Sequence, residues 1–294
     1  MLHTDDLGSN RVCVTEKNKV YMKTEWKMRE SRVLRKLRNG EVALCTKMNL
    51  ADPRVAEIIA MSGFDCIWTC QEHIGNDYRT IQELILGAKT YDCDILCRVQ
   101  KGCYSDYILP LEMDAAGIMV PHLMSLQEAK QTVNMTRFHP QGRRPLDGGN
   151  ADGKYCRVPL GDYLEQSNRE RFVIFQIEDP EPLEELEEIA ALDGYDMLFF
   201  GPGDFSHSIG DPGNFNNPVL LETRKRIAEV AIRHGKFAGT VGSLGNYHEL
   251  VKMGYRFINI GSDVTTLAAT YTEIIHSVAG IAVNSPETKT PYAK

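Results

Sequence analysis

FVIFQIEDPEP, residues 172–182, is an apolar run that ends on one acid, Glu178, with two prolines close behind. A run of this length bounded by turn formers reads as a buried strand. MLFFGPGDFS, residues 197–206, repeats the design with a turn and a second acid, Asp204. Runs of the same kind lie on both sides, at ALCTKMN (43–49), CIWTC (66–70), DILCRV (94–99) and GIMVP (117–121) before the pair, and at KFAGTVG (236–242) and RFINIG (256–261) after it. That makes eight β-rich runs, and segments with helical period lie between most of them. PVLLETRKRIAEVAIRH (218–234) puts Val219, Ile227, Val230 and Ala231 near one stripe, and Gly235 follows as a stop. PEPLEELEEIAAL (180–192) opens with prolines and acids, as a helix N-terminus does, and NYHELVKMG (246–254) reads as a short helix with a glycine stop. Alternation of this kind argues for parallel βαβ units. Eight strands close a (β/α)8 TIM barrel, an α/β fold of about 250 residues.

The bulk properties allow one large domain or two small ones. The chain has 294 residues, 43% apolar and 25% charged, with a formal net charge of −7. No Lys/Arg run stands out, which argues against nucleic acid or anionic membrane as a partner. The apolar runs are strand-sized, far short of a membrane span. Residues 1–27 are polar and aperiodic with no apolar signal core, so a loose tail is expected there, a barrel over 28–284 and a short tail over 285–294. Most of the eight cysteines sit inside apolar runs, as reduced core residues of a cytoplasmic protein do. The spacings from Cys66 to Cys70 and from Cys93 to Cys97 do not match zinc knuckles. The stretch 139–168 is too long for a plain connection, and long ordered loops are often functional.

In a barrel of this class the chemistry sits at the C-terminal ends of the strands. Either acid alone reads better as an ordinary strand end or helix cap. Together, on adjacent strands, Glu178 and Asp204 share one rim and suit a hard divalent cation such as Mg²⁺ or Mn²⁺. Gln176 shares the inward face with Glu178. Arg98 ends its strand at the same rim, where a buried guanidinium needs an anion. His73, with Glu72 beside it, follows the second strand as a loop-borne acid/base candidate. His122 follows the fourth, as a pocket-lining or packing residue. Gly203 in the tight GPGD turn lets backbone N–H groups approach an anion.

GFDCIWTCQEHIGNDYRT, the Arg98 strand, MVPH, QGRR, FVIFQIE and FFGPGDFS, in this order from about Met28 to Ala279, resemble the HpcH/HpaI family of metal-dependent class II pyruvate aldolases. The resemblance implies a barrel assembled as a hexamer, a dimer of trimers with exchanged C-terminal helices. It implies Glu178 and Asp204 as ligands of Mg or Mn, with Co, Ni or Zn as alternatives. Arg98 is implied at the pyruvate keto oxygen, Gln176 near metal and substrate, the N–H groups of Gly203 and Asp204 on the carboxylate, His73 as base with Glu72 beside it, and Glu112 as an acid offered to an adjacent subunit. The implied reaction is retro-aldol cleavage of a 4-hydroxy-2-oxo acid to pyruvate and an aldehyde through a metal-stabilised enolate, with Thr240 to Leu244 lining the aldehyde pocket. One position departs from the family: Cys70 stands where an Asp usually precedes the histidine by three residues, so the metal and pyruvate half matches while the base half is altered. Alternative readings are an oxaloacetate decarboxylase or macrophomate-synthase-like lyase, and a non-catalytic 2-oxo acid-binding protein.

Overall fold

The protein's structure, a computed structural model, describes residues 11–16 and 19–279. Within the segment expected to be a loose tail, β1 (Arg11–Glu16) and β2 (Lys19–Thr24) pair as an antiparallel hairpin. The expected tail over 285–294 lies outside the described residues. The barrel strands are β3 (Ala43–Lys47), β4 (Cys66–Cys70), β5 (Asp94–Arg98), β6 (Gly117–Val120), β7 (Phe172–Ile177), β8 (Met197–Phe200), β9 (Phe237–Gly242) and β10 (Phe257–Ser262). Every neighbouring pair is parallel, and β10 pairs with β3 to close the ring. All eight runs read from the sequence are barrel strands.

Two layers of core follow from the period-2 alternation of the strands. Outward residues such as Ile67, Ile95, Ile118, Val173, Phe175 and Leu198 pack beneath the surrounding helices. Inward residues Cys45, Cys66, Trp68, Leu96, Met119, Phe172, Ile174, Met197, Phe199 and Phe257 fill the barrel. Val33, Leu34 and Leu37 of helix Arg32–Arg38 close its N-terminal end. Phe199 and Phe257 meet edge to face at 6.2 Å, and truncating Phe199 to Ala would cost about 3–5 kcal/mol. Gly117 has to be a glycine, because a Cβ there would stand 2.1 Å from the Phe172 ring.

The helices differ from expectation in three places. In Pro218–Arg233 the buried face carries Leu220, Ile227, Ala228, Val230 and Ala231, while Val219 points to solvent; Val219 belongs to the first turn, one position off the stripe. The segment 180–192 divides into a 3₁₀ turn, Glu181–Leu183, and a helix, Leu186–Ala191, with the break at Glu185, whose φ of −107° and ψ of 17° leave helical geometry. The long stretch 139–168 contains most of helix Leu160–Glu170, whose Gly161, Ser167 and Asn168 mask it in sequence. Gly235 and Gly254 stop their helices with φ of 69° and 103°.

The stretch 139–168 also lies at the end of the barrel away from the catalytic rim. It enters β7 at its N-terminal end, and Lys154 pairs with Asp114 just before β6. Arg144, fully buried, reaches Asp152 at 3.2 Å and Glu112 at 3.9 Å. Within this chain it therefore does not cover the Glu178 pocket, and Glu112 is tied to the same network.

Candidate active site

The C-terminal rim opens into a cavity of about 390 Å³. Lys47, Trp68, His73, Arg98, Gln176, Glu178, Gly203 and Asp204 are among its lining residues. Glu178 sits one residue past β7 and is fully buried. Its Oε1 accepts from the His122 N–H at 2.9 Å, and its Oε2 accepts from Gln176 Nε2, as expected for side chains two apart on one strand face. The space is tight: a Cβ on Gly201 would stand 2.6 Å from Glu178 Oε2, so glycine is needed for the two strands to present this carboxylate. Asp204 lies in the first turn of the short helix Pro202–Ser208 rather than in a free turn. The first-turn N–H groups of Gly203 and Asp204 have no intrahelical acceptor, so they are available to an anion in the cavity.

Burial pushes the Glu178 carboxyl up to about 8, against the opposing pull of the His122 N–H, the His122 ring and Arg98. A carboxyl so placed is short of positive charge. Beside it, Asp204 and His122 each offer a donor atom, and the three atoms lie within 4.8 Å of one another. Two carboxylates and an imidazole form a donor set that fits a divalent cation. His122 is the residue whose place the sequence least determined. Its Nδ1 is 2.7 Å from Asp179 Oδ2, which leaves Nε2 facing the acids, 3.8 Å from Glu178 Oε1. Asp179 and Glu178 raise its pKa against the opposing effect of burial. Its backbone is left-handed, φ 45°, and is held by Glu178 on its N–H and by Lys101 Nζ on its carbonyl. The clue in the sequence was indirect: an acid, Asp179, directly follows Glu178.

The base half of the site has a different arrangement. Arg98 is buried and lies over the Trp68 ring at 4.9 Å. Its Nε and Nη2 donate to Cys70 Sγ, both at 3.3 Å. The Glu72 carboxylate is an ion-pair partner of the same Nε at 2.9 Å. Glu72 also lies 3.7 Å from His73 Nε2 and 3.6 Å from His122 Nε2. With Cys70 in place of an acid, Glu72 is the carboxylate that balances the Arg98 charge. His73 is half-exposed at the cavity mouth, and its N–H donates to Cys70 Sγ at 3.4 Å. The seven cysteines from Cys45 to Cys156 are free; Cys103 and Cys156 are exposed, and the other five are buried.

One expectation is corrected. Of the 240–244 segment, only Val241 and Gly242 line the cavity. Thr240 is buried, with its hydroxyl on the Phe200 carbonyl, and Leu244 points to solvent. The 139–168 stretch is remote from the cavity, as described above. Sequence reasoning also missed Lys47, Trp68 and Asn259 in the lining, all inward residues that sit within apolar strand runs. No helix among the described residues is long and apolar enough to cross a membrane.

A (β/α)8 barrel that gathers two carboxylates, an arginine and a histidine around one rim cavity has the makings of a metal-assisted enzyme site. Residues 48–270 match the model of the HpcH/HpaI aldolase/citrate lyase family, and the chain belongs to that family. It is 30% identical over 242 residues to a hydroxypyruvate/pyruvate aldolase of Roseobacter denitrificans, covering 80% of this chain and 91% of that one. It is 29% identical over 216 residues to a 5-keto-4-deoxy-D-glucarate aldolase of Enterobacter sp., covering 73% and 84%. The crystal structure of an HpcH/HpaI aldolase from Desulfitobacterium hafniense superposes with a TM-score of 0.80 at 25% identity, covering 86% of this chain and 98% of that one.

Proposed function

We propose that the chain is a metal-dependent aldolase that cleaves a 4-hydroxy-2-oxo acid to pyruvate and an aldehyde. Glu178 and Asp204 are the proposed cation ligands, with His122 as a third donor oriented by Asp179. The observation that carries the reading is a buried, charge-deficient Glu178 beside Asp204 in the same cavity as Arg98. A divalent cation bound there supplies Lewis acidity, stabilising negative charge on the substrate's oxygens.

This chain's residues do the rest. The Gly203 and Asp204 N–H groups hold the 2-oxo acid carboxylate at the start of helix Pro202–Ser208. Gln176 braces Glu178 from behind. Arg98, fixed by Glu72 and Cys70, directs its guanidinium at the C2 oxygen, where charge develops as the bond breaks. His73 takes the proton from the 4-hydroxyl. The C3–C4 electrons move to C2 and its oxygen, the aldehyde departs, and C3 is protonated to give pyruvate. Glu72 stands 3.7 Å from His73 Nε2, beside the ring that receives the proton.

Assembly belongs to the same proposal. Helix Asp263–Ala279 buries only Asp263, and it exposes Leu267, Tyr271, Ile274, Ile275 and Val278. Ile58, Met61 and Leu86 are exposed on two neighbouring helices. An apolar helix face of this size supports docking on another copy of the chain, with exchanged C-terminal helices, as in a hexamer.

The test is exchange of the pyruvate methyl protons in D₂O, followed by NMR, with EDTA and then with Mg²⁺ or Mn²⁺ restored. Exchange that requires both metal and Glu178 supports the reading. A protein that binds metal and pyruvate without exchange would favour decarboxylation of oxaloacetate, or binding alone, as its role.

A further inference from the structure

The metal-side acids stand just past β7 and β8, whereas Lys47 ends β3, four strands from β7 around the closed ring and so across the mouth from it. Lys47 is half-buried and lines the cavity, yet among the described residues its ammonium has no ion-pair partner. Its polar neighbourhood is a flank of the Trp68 ring at 5.3 Å, the same ring that Arg98 covers. Burial, and then the charge of Arg98, push its pKa down, with Cys70, Glu72 and Asp204 opposing. Asp263, next to the Ser262 that pairs with Lys47, is occupied by the N–H groups of Asn49 and Leu50 at 2.9 and 2.8 Å. An unpaired ammonium held in a cavity wall is costly unless something negative enters to meet it.

Around it, the strand register brings other donors to the same side. Lys47 pairs across the backbone with Ser262 of β10 on one edge and with Trp68 of β4 on the other. The hydroxyls of Ser262 and Thr265 stand 2.9 Å apart, and both residues line the cavity with Asn49. The adjoining Asn259 is nearly buried, and its Oδ1 has no partner.

We propose that Lys47, with Asn49, Ser262 and Thr265, is a second anion subsite that takes a carboxylate at the far end of the substrate. This rests on the aldolase reading: with the 2-oxo acid end at Glu178 and Asp204, the chain of the substrate runs across the mouth to β3. The aldehyde released is then itself an acid. A single ammonium with neutral donors matches the single charge of a carboxylate; a phosphate dianion would be left half neutralised.

The test is calorimetric binding to the Mg²⁺-loaded protein of chain-matched pairs: oxaloacetate, 2-oxoglutarate and 2-oxoadipate against 2-oxobutyrate, 2-oxopentanoate and 2-oxohexanoate. One diacid should bind more tightly than its monoacid partner. Lys47→Met should remove that preference, a loss of roughly 10- to 100-fold for one charge-assisted bond, while pyruvate binding stays as in the wild type. Lys47→Arg should restore part of it. Equal affinity for diacid and monoacid at every length would overturn the proposal. So would a Lys47→Met variant that is folded by circular dichroism but has lost pyruvate binding, since Lys47 would then serve the pyruvate end. Proton exchange at pyruvate is read separately. A Lys47-dependent diacid preference without exchange keeps the subsite and removes the aldolase reading.

Discussion

Replacing Glu178 with Gln should stabilise the metal-free protein, and only on the alkaline side. Burial lifts the Glu178 carboxyl from 4.5 to about 8. The folded state therefore keeps a proton that the unfolded chain releases, and stability falls as pH rises between those two values. Each pH unit in that window costs about 1.4 kcal/mol, so on the order of 3 kcal/mol is lost between 4.5 and neutrality, and more by about 8. Glutamine keeps the shape without the titration. It can be satisfied in place, because its carbonyl can accept from the His122 N–H while Gln176 turns its unpartnered Oε1 to accept from the new amide. Loss of the negative charge also lowers the His122 pKa, which Glu178 helps to raise, and this works in the same direction. The assay is urea unfolding of EDTA-treated wild type and Glu178→Gln from about pH 5 to pH 8. The curves should meet at the acid end and diverge by about 2–4 kcal/mol at the alkaline end. Added Mg²⁺ should raise the wild type alone. Parallel curves would refute the claim that Glu178 is buried and charge-deficient.

Other outcomes follow from the same geometry. His122→Ala should weaken metal affinity, and Asp179→Asn should weaken it by roughly 10- to 100-fold through loss of ring orientation, read by calorimetric titration of Mn²⁺; unchanged affinity with lost turnover would instead make His122 an acid/base group. Cys70→Ala removes the sulfur that receives two Arg98 donors, and should cost about 1–3 kcal/mol in denaturant unfolding. It should also raise the KM for the 2-oxo acid, because Glu72 alone then positions the guanidinium. Asp substituted at both Ile274 and Ile275 should shift the assembly toward monomer in light scattering, while circular dichroism of the barrel is unchanged.

How much of this was legible in the sequence depended on whether a residue's role was local or came from across the ring. The strands were readable because each apolar run is continuous: buried on both faces, it needs no alternation, and the turn formers mark its ends. Glu178, Asp204 and Arg98 were readable for the same reason, since each is a charged residue at or just past the point where such a run stops, and the fold sends all those points to one rim. Lys47 ends its strand too, but in the sequence it sits inside the run ALCTKMN, between the inward Cys45 and its neighbour Met48, and reads as part of a core strand. Its meaning comes from Ser262 on the closing strand, 215 positions later, and from Trp68 on the next strand. His122 is the sharper case. Its fold-specific features are a left-handed backbone, an N–H on Glu178 and a ring nitrogen on Asp179, and each depends on β6 and β7 lying side by side. The same pairing explains the altered position 70. From the sequence, loss of the acid there reads as a hole in the site. In the fold, Cys70 and Arg98 are cross-strand partners, so the sulfur still receives the guanidinium, and Glu72 enters from the loop to supply the charge. A carboxylate on a loop can reach Arg98, His73 and His122 together, whereas one on the strand would be confined to the inward face beside Arg98. With an uncharged thiol at position 70, the negative charge on this side of the site rests on Glu72 at the cavity mouth, beside Arg98, His73 and His122.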